Sequence, residues 1–408
     1  MKILATQETD WISRNPIIHH RLLEWLSTHG SDVSVIDYDI DWAGKPGQPL
    51  LQRRQEFVGV HKYFADSRIR IVRPGMIRLS LIARLSWLFG NWRELRAIFR
   101  GRKPDVVVAY GISNALLTLA LSRAAGRPFI YHVMDALHTH ADALPVRAIA
   151  RYIEQLTMRH ADRVIVVSQG LERYAAKMGA PIDRVAVIPI GVRRIGADPE
   201  VAARARKELG IGESEVLLIF VGWQYPFSGL RELVRDFARR GKDVPWLRLL
   251  VVGRGDLFGE LQQIRTTSGL ERQVIMTGQR PVEEVGALIE GADFGVLPAY
   301  RNETMEHLVP TKVVEYMEHG KAVVATRLPG LEAEFASLPG ILYIDRPEAT
   351  IDRIRGLVET KDPTAIRAIA RRLGETCRTA IGQRDDWDTV TSKFASILRT
   401  EADKKPHA

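Results

Sequence analysis

Short runs of valine, isoleucine and leucine alternate with longer, helix-spaced stretches along most of the chain. The runs predict strands over Lys2–Thr6, Asp32–Asp37, Asp105–Ala109, Pro128–His132, Arg163–Ser168 and Val185–Ile190. A second series covers Val216–Val221, Leu247–Val252, Gln273–Thr277, Phe294–Leu297, Ala322–Ala325 and Gly340–Ile344. None alternates cleanly between apolar and polar, as expected of parallel strands covered by helices on both faces. The stretches between them predict crossover helices over Pro16–His29, Ala115–Ala125, Ala148–His160, Gly170–Met178, Leu230–Arg240, Asp256–Ser268, Val282–Glu290 and Thr311–His319. Repeated strand–helix units mean an α/β architecture. The polar segment Gly191–Glu200 has little periodicity and reads as a linker between two halves of similar content.

The composition agrees with this picture. The 408 residues exceed one ordinary core, and 46% hydrophobic with 26% charged residues is a globular balance. A lone cysteine, Cys377, excludes a disulfide scaffold and a cysteine-built metal site. The apolar run at Met1–Ala5 is too short for a secretory signal, and no apolar stretch is long enough to span a bilayer.

Charge is concentrated in one place. Residues 51–103 hold 13 lysines and arginines against Glu56, Asp66 and Glu94, a local net of +10 in a chain of +9. Such a local field points to an anionic surface, nucleic acid or acidic lipid. Between Met76 and Arg100, the residues Ile77, Leu81, Leu85, Leu88, Trp92, Leu95 and Phe99 fall at helical spacing. Arg78, Arg93, Arg96 and Arg100 flank them, and Trp87, Phe89 and Trp92 add interfacial aromatics. This pattern predicts a helix lying on an anionic membrane, with core packing as the alternative. No nucleic-acid-binding fold accompanies the charge, so nucleic acid is not expected as a partner. The expected location is the cytoplasm, peripherally on the inner face of the cell membrane.

Several phosphate-binding motifs are missing. The first strand runs into Gln7-Glu8-Thr9-Asp10 with no Gly-x-Gly-x-x-Gly, and no P-loop occurs. His138 and His140 have no neighbouring cysteine and read as substrate or surface residues, not as a metal site. The sharpest chemistry lies in Pro298–Gly320. There a strand, a polar loop and a helix beginning at Pro310 or Thr311 lead to the C-cap Gly320. The helix start favours a phosphate, and Lys312 adds a positive charge. Glu315, one turn on, suits the two vicinal hydroxyls of a ribose.

The run Pro310-Thr311-Lys312-x-x-Glu315-Tyr316-Met317-x-x-Gly320-Lys321-Ala322-Val323-Val324-Ala325 resembles the donor-site signature of the retaining GT-B glycosyltransferases of family 4. Phe220-Val221-Gly222 with Ser228-Gly229-Leu230 resembles that family's opening of the second domain. Val251–Gly255, Val274–Gly278 and, in the first domain, Ala161–Ser168 and Val187–Val192 continue the likeness. The resemblance implies two Rossmann-like domains facing across a cleft: 1–192 toward acceptor and membrane, and 193–380 toward the nucleotide-sugar. Residues 381–400 would form a helix packing back on the first domain, with 401–408 a frayed tail. It also implies metal-independent hexosyl transfer from a nucleotide-diphosphate sugar, without cofactor, and the basic amphipathic segment points to a lipid or lipid-linked glycan as the acceptor.

Carried onto this sequence, the resemblance assigns donor contacts to Glu315, Thr311, Arg254, Gly278, Arg280, Arg301, His307, Gly222 and Ser228. Catalytic roles fall to Asp135, with capping of the next helix as the alternative, and to His138 and Lys312. From their places after the strands, Arg14, Asn15 and Tyr110 are expected acceptor contacts, with capping of the Pro16 helix as the alternative for Arg14 and Asn15. The chain departs from the family where His307 replaces the first of two glutamates, and where Trp223 and Ser228 stand in for two cations. A nucleotide-sugar epimerase, a catalytically degenerate relative and a nucleic-acid-binding protein are the competing readings. The basic amphipathic segment weighs against the epimerase.

Overall fold

The structure is a computed structural model that describes residues 1–13, 16–40, 49–79, 82–141, 143–303, 305–307, 309–359 and 362–404. The chain divides into two compact units, Met1–Ile190 with the chain from Asp388 onward, and Gly191–Trp387.

In chain order the first unit contains β1 (Lys2–Gln7), α1 (Ile18–Thr28), β2 (Asp32–Ile36), β3 (Leu51–Gln52), β4 (Gln55–Val58) and β5 (Arg70–Arg73). It continues with β6 (Met76–Ile77), α2 (Ala83–Gly101), β7 (Val106–Tyr110), α3 (Ala115–Ala124) and β8 (Phe129–Val133). It then adds α4 (Leu144–His160), β9 (Arg163–Val166), α5 (Gln169–Lys177) and β10 (Val185–Val187). The main sheet runs β10-β9-β8-β7-β1-β2-β5-β4, and β3 pairs with β6 separately. All neighbours in the main sheet are parallel except β4, which is antiparallel to β5. The strand order reverses between β1 and β7. The last helix, Trp387–Asp403, packs Phe394 against His132 of this unit, their ring centroids 5.5 Å apart.

The second unit contains α6 (Pro199–Glu208), β11 (Val216–Val221), α7 (Leu230–Arg240), β12 (Leu247–Val252), α8 (Phe258–Thr267), β13 (Val274–Gly278) and α9 (Val282–Gly291). Then come β14 (Phe294–Leu297), α10 (Thr311–Glu318), β15 (Ala322–Thr326), α11 (Pro329–Phe335), β16 (Ile341–Ile344), α12 (Ala349–Arg355) and α13 (Pro363–Gly382). Its sheet is wholly parallel, in the order β13-β12-β11-β14-β15-β16. In β11, Val216, Leu218 and Phe220 enter one apolar cluster and Leu217 and Ile219 the other. A strand with a core on each face needs no polar positions, which is why these runs do not alternate.

The helix expected over Met76–Arg100 is corrected by the fold. Met76–Ile77 is strand β6, and the helix begins at Ala83. Trp87 and Leu95 point inward, and Trp87 packs on Tyr38 and Met76. Leu81 lies outside the described residues. The exposed large apolar residues of the segment are Ile77, Leu79, Ile82, Leu85 and Phe89. The local +10 is also partly met from elsewhere in the unit. Arg73 is buried between Asp10 (2.7 Å) and Asp37 (2.6 Å), Arg78 reaches Asp39 (3.1 Å), and Arg102 reaches Asp32 (2.9 Å). Arg93, Arg96 and Arg100 have no ion pair among the described residues, and Arg96 lies over the Trp92 ring at 4.8 Å.

Candidate functional site

Open parallel sheets bind ligands beyond the carboxyl ends of their strands, where the strand order reverses. In the second unit that point lies between β11 and β14, and the segments that follow them carry Gly222 and Lys312. The ends of β11, β12 and β13 are laced edge to edge. Gly222 N–H donates to Val252 O (2.9 Å), and Gly253 N–H donates to Gly278 O (2.8 Å). Gln224, fully buried, donates from its side chain to Gly253 O (3.0 Å) and from its backbone to Arg254 O (3.1 Å). Gly222 has φ +121°, and a Cβ there would stand 3.5 Å from Lys312 Nζ. Glycine thus meets both demands, a backbone that L side chains rarely adopt and room beside the ammonium.

Lys312 projects from the first turn of α10. That turn follows Pro310, and no side chain caps it. Its ammonium stands 3.9 Å from the centroid of Phe220, the penultimate residue of β11. Crowding by protein draws its pKa down to about 8, with Glu315 pulling weakly the other way. No ion pair occupies it among the described residues, so the cation is available to an incoming anion. Glu315 is half-buried, and its carboxylate makes no hydrogen bond among the described residues. Burial raises its pKa, while Arg193 and Lys312 oppose the rise. Arg193 lies in the segment read as a linker, yet it is fastened to the same helix. Its backbone N–H reaches Glu318 at 2.6 Å and its guanidinium at 3.2 Å.

Tyr316 fixes the orientation of α10. Its hydroxyl accepts from Val221 N–H at 2.9 Å, and its ring fills the space over Gly295, where any Cβ would collide. The helix is therefore locked to both strands flanking the switch point.

The other donor-side residues sit at varying depth. Arg254 is exposed, stacks over Phe258 at 4.8 Å, and passes beside Gly278. Ser228 is buried and its hydroxyl has no partner among the described residues. It precedes Gly229, whose φ of +69° and contact with Pro298 O exclude a side chain. Thr311 and Arg301 are exposed, and His307 is half-buried in the loop before α10. Arg280 is exposed and pairs with Glu284 at 3.3 Å. Trp223 is exposed and donates to Asp256 at 3.3 Å.

The first unit builds its switch point differently. Tyr110 ends β7 and is 5% exposed. Its ring contacts His19 (centroids 4.6 Å apart) and His132 (5.1 Å). Trp11 and His20 join the cluster with centroids 4.2 Å apart. Both ring nitrogens of His19 and of His132, and the Tyr110 hydroxyl, lack partners among the described residues. Burial holds His19 well below the ordinary histidine range and His20 and His132 at about 3. It pushes Tyr110 up. The sequence pattern places His132 at a strand end and His19 and His20 in the first helix, and marks none of them as a site residue.

Asp135 is half-buried, and its Oδ1 accepts Ala136 N–H at 2.7 Å without capping the short helical turn that follows. His138, 3% exposed, pairs through Nδ1 with Glu154 (2.9 Å), and Tyr174 donates to the same carboxylate at 2.9 Å. Such burial suits a positioning role beneath the loop better than contact with substrate. Arg14 and Asn15 lie outside the described residues.

Residues 18–191 match the Glycosyl transferase 4-like domain, and residues 215–360 match the Glycosyl transferases group 1 domain. An uncharacterized glycosyltransferase of Methanocaldococcus jannaschii is 22% identical over 60% of this chain and 60% of its own length. A GDP-mannose-dependent α-(1-6)-phosphatidylinositol monomannoside mannosyltransferase of Mycolicibacterium smegmatis is 27% identical over 48% of this chain. That match spans 52% of the mycobacterial protein, so the chain aligns with little more than half of either relative. Among solved structures, Anabaena HepE in complex with UDP and glucose superposes with a TM-score of 0.72 at 18% identity. That superposition covers 98% of this chain and 100% of the other. The two consecutive domain matches, on two parallel-sheet units of this topology, place the chain in the GT-B glycosyltransferase family, with a glycosyl transferase 4-like domain ahead of a group 1 domain.

Proposed function

We propose that the protein is a retaining glycosyltransferase that moves a hexose from a nucleotide-diphosphate sugar to a membrane-associated lipid or lipid-linked glycan. The observation that carries this reading is Lys312, a cation without an ion pair among the described residues, at the start of α10 and at the switch point of the second unit. A diphosphate leaving group gains charge as the bond to the sugar breaks, and a preorganised cation stabilises that charge most in the transition state. Lys312 and the free amide groups of the α10 start fill this role, with Arg254 and Arg301 assisting. No metal is required in this reading. Glu315 takes the ribose hydroxyls, and Asp135 serves the sugar at the first unit. Two likenesses support the donor and acceptor classes: the Anabaena protein was solved with UDP and glucose, and the mycobacterial relative is named for GDP-mannose and a phosphatidylinositol mannoside. The amphipathic, basic α2 supports an acceptor at a membrane. No helix among the described residues is long and apolar enough to cross one.

The test is a panel of UDP-, GDP- and ADP-sugars incubated with the protein, with and without bacterial lipid extract. Nucleoside diphosphate release is followed alongside product mass. One donor should be consumed, faster with lipid, and a glycosylated lipid should appear. Conversion of the donor to its epimer without lipid would favour an epimerase, and no consumption of any donor would favour a degenerate relative.

A further inference from the structure

Helix α4 begins four residues earlier than its sequence pattern suggests, at Leu144, with Pro145 in the first turn where proline is tolerated. Those added residues change its surface. Leu144, Val146, Ile149 and Tyr152 are 55–75% exposed, and Arg151 is exposed among them. Four large apolar side chains open to solvent on two turns of one helix exceed the scattered exposure of ordinary surfaces.

This helix belongs to a layer. Helix α3 packs against both α2 and α4, so the three lie side by side on one face of the first unit. On α2, Leu85 and Phe89 are 60–68% exposed, with Arg93 and Arg100 beside them. Across the three helices there are eight arginines (84, 93, 96, 100, 123, 147, 151 and 159) and two acids, Glu94 and Glu154. Both acids are engaged within the unit: Glu94 pairs with Arg54 at 2.9 Å, and Glu154 is fully buried against His138 and Tyr174. The outer face therefore presents apolar side chains framed by arginine, with no exposed carboxylate on the described helices.

We infer that the outer face of α2, α3 and α4 is a docking surface for an anionic lipid bilayer, and that the first two turns of α4 insert into it. Charge complementarity selects this occupant. Arginine pairs bidentately with phosphate, and apolar residues at this spacing enter the acyl boundary. A second copy of the chain would bring arginine against arginine, and a nucleic acid would leave the leucine and isoleucine side chains in water. The inference deepens the membrane part of the proposed function but does not depend on the donor site.

The test uses the full chain with vesicles of phosphatidylcholine containing 30% phosphatidylglycerol, and with pure phosphatidylcholine. The wild type should sediment with the anionic vesicles and scarcely with the neutral ones. The triple variant Leu144→Ser, Ile149→Ser, Tyr152→Ser should lower partitioning at least about tenfold, because the buried apolar area is lost. Its thermal midpoint and nucleoside diphosphate affinity should match wild type, since all three side chains are exposed. Replacing Arg93 and Arg100 by Glu should lower partitioning separately, and in a salt-dependent way. If the triple variant partitions like wild type, or wild type ignores anionic vesicles, the docking surface is refuted. It is refuted equally if sedimentation equilibrium shows a wild-type dimer that the triple variant abolishes. None of these outcomes alters nucleotide binding, so failure here is separable from failure of the transferase reading.

Discussion

The two units share a six-strand core order, to which the first adds β4 and β10 at its edges, and they differ in what they place at its reversal. In the second unit the reversal between β11 and β14 holds Lys312 above Phe220, Glu315 one turn on, and laced glycine turns. In the first unit the reversal between β1 and β7 holds Trp11, His19, His20, Tyr110 and His132, packed ring against ring in tilted and stacked pairs and kept neutral by burial. One site offers a cation to an anion, and the other offers uncharged rings. Topology thus marks the place of a site, while side chains decide its chemistry. A donor that departs as a diphosphate needs the first kind of environment. The second unit supplies it through Lys312, with Trp223 and Ser228 standing where the sequence resemblance leads one to expect cations.

The largest break in this comparison should come from Lys312→Ala. Turnover is expected to fall about 100-fold or more, with a smaller loss of donor affinity. Steady-state rates and calorimetric affinities measured on the same preparation separate the two. Glu315→Ala comes next. Loss of charged hydrogen bonds to the ribose should weaken nucleoside diphosphate binding on the order of tenfold to 100-fold, read by calorimetry. An unchanged affinity in a folded variant removes Glu315 from the site.

The smallest effect sharpens the neutral side. His132 titrates near 3 in the folded unit against 6.5 in the unfolded chain, and His19 also lies well below its ordinary value. As pH falls from about 6.5 the unfolded chain binds protons that the folded one refuses, so stability drains from the first unit down to about pH 3. His19→Phe and His132→Phe should flatten the loss of thermal midpoint between pH 7 and 4 by a few degrees, while donor affinity at pH 7 stays as in wild type. A melting profile as steep as that of wild type would show that the cluster does not couple to acid stability.

Much of this arrangement is legible in the chain. The Val- and Leu-rich runs locate nearly every strand of the main sheets, because strands with a core on each face need no polar positions. Lys312 and Glu315 are readable because a proline-started helix after a strand is itself the signal. Strands β3 to β6 are not readable, being only two to four residues long. The inward turn of Trp87 depends on Tyr38 and Met76, distant in sequence, so local periodicity assigns it to the wrong face. Arg193 looks like linker charge until Glu318 is seen beside it. The exposed start of α4 escaped because Pro145 reads as a helix boundary, although it is tolerated in a first turn.

The central claim is that the Lys312 ammonium binds the diphosphate, and its pKa of about 8 provides a direct readout. Calorimetric titration of UDP and GDP should be run from pH 7 to 9.5 on wild type and on Lys312→Met. In free protein the ammonium loses its proton as pH rises through 8. Wild-type affinity for the preferred nucleotide should therefore hold near pH 7 and then fall, approaching about tenfold per pH unit above 8. The Lys312→Met variant should bind weakly at every pH with a flat profile. A wild-type profile that is flat to pH 9.5, or a variant that binds like wild type at pH 7, would contradict the account.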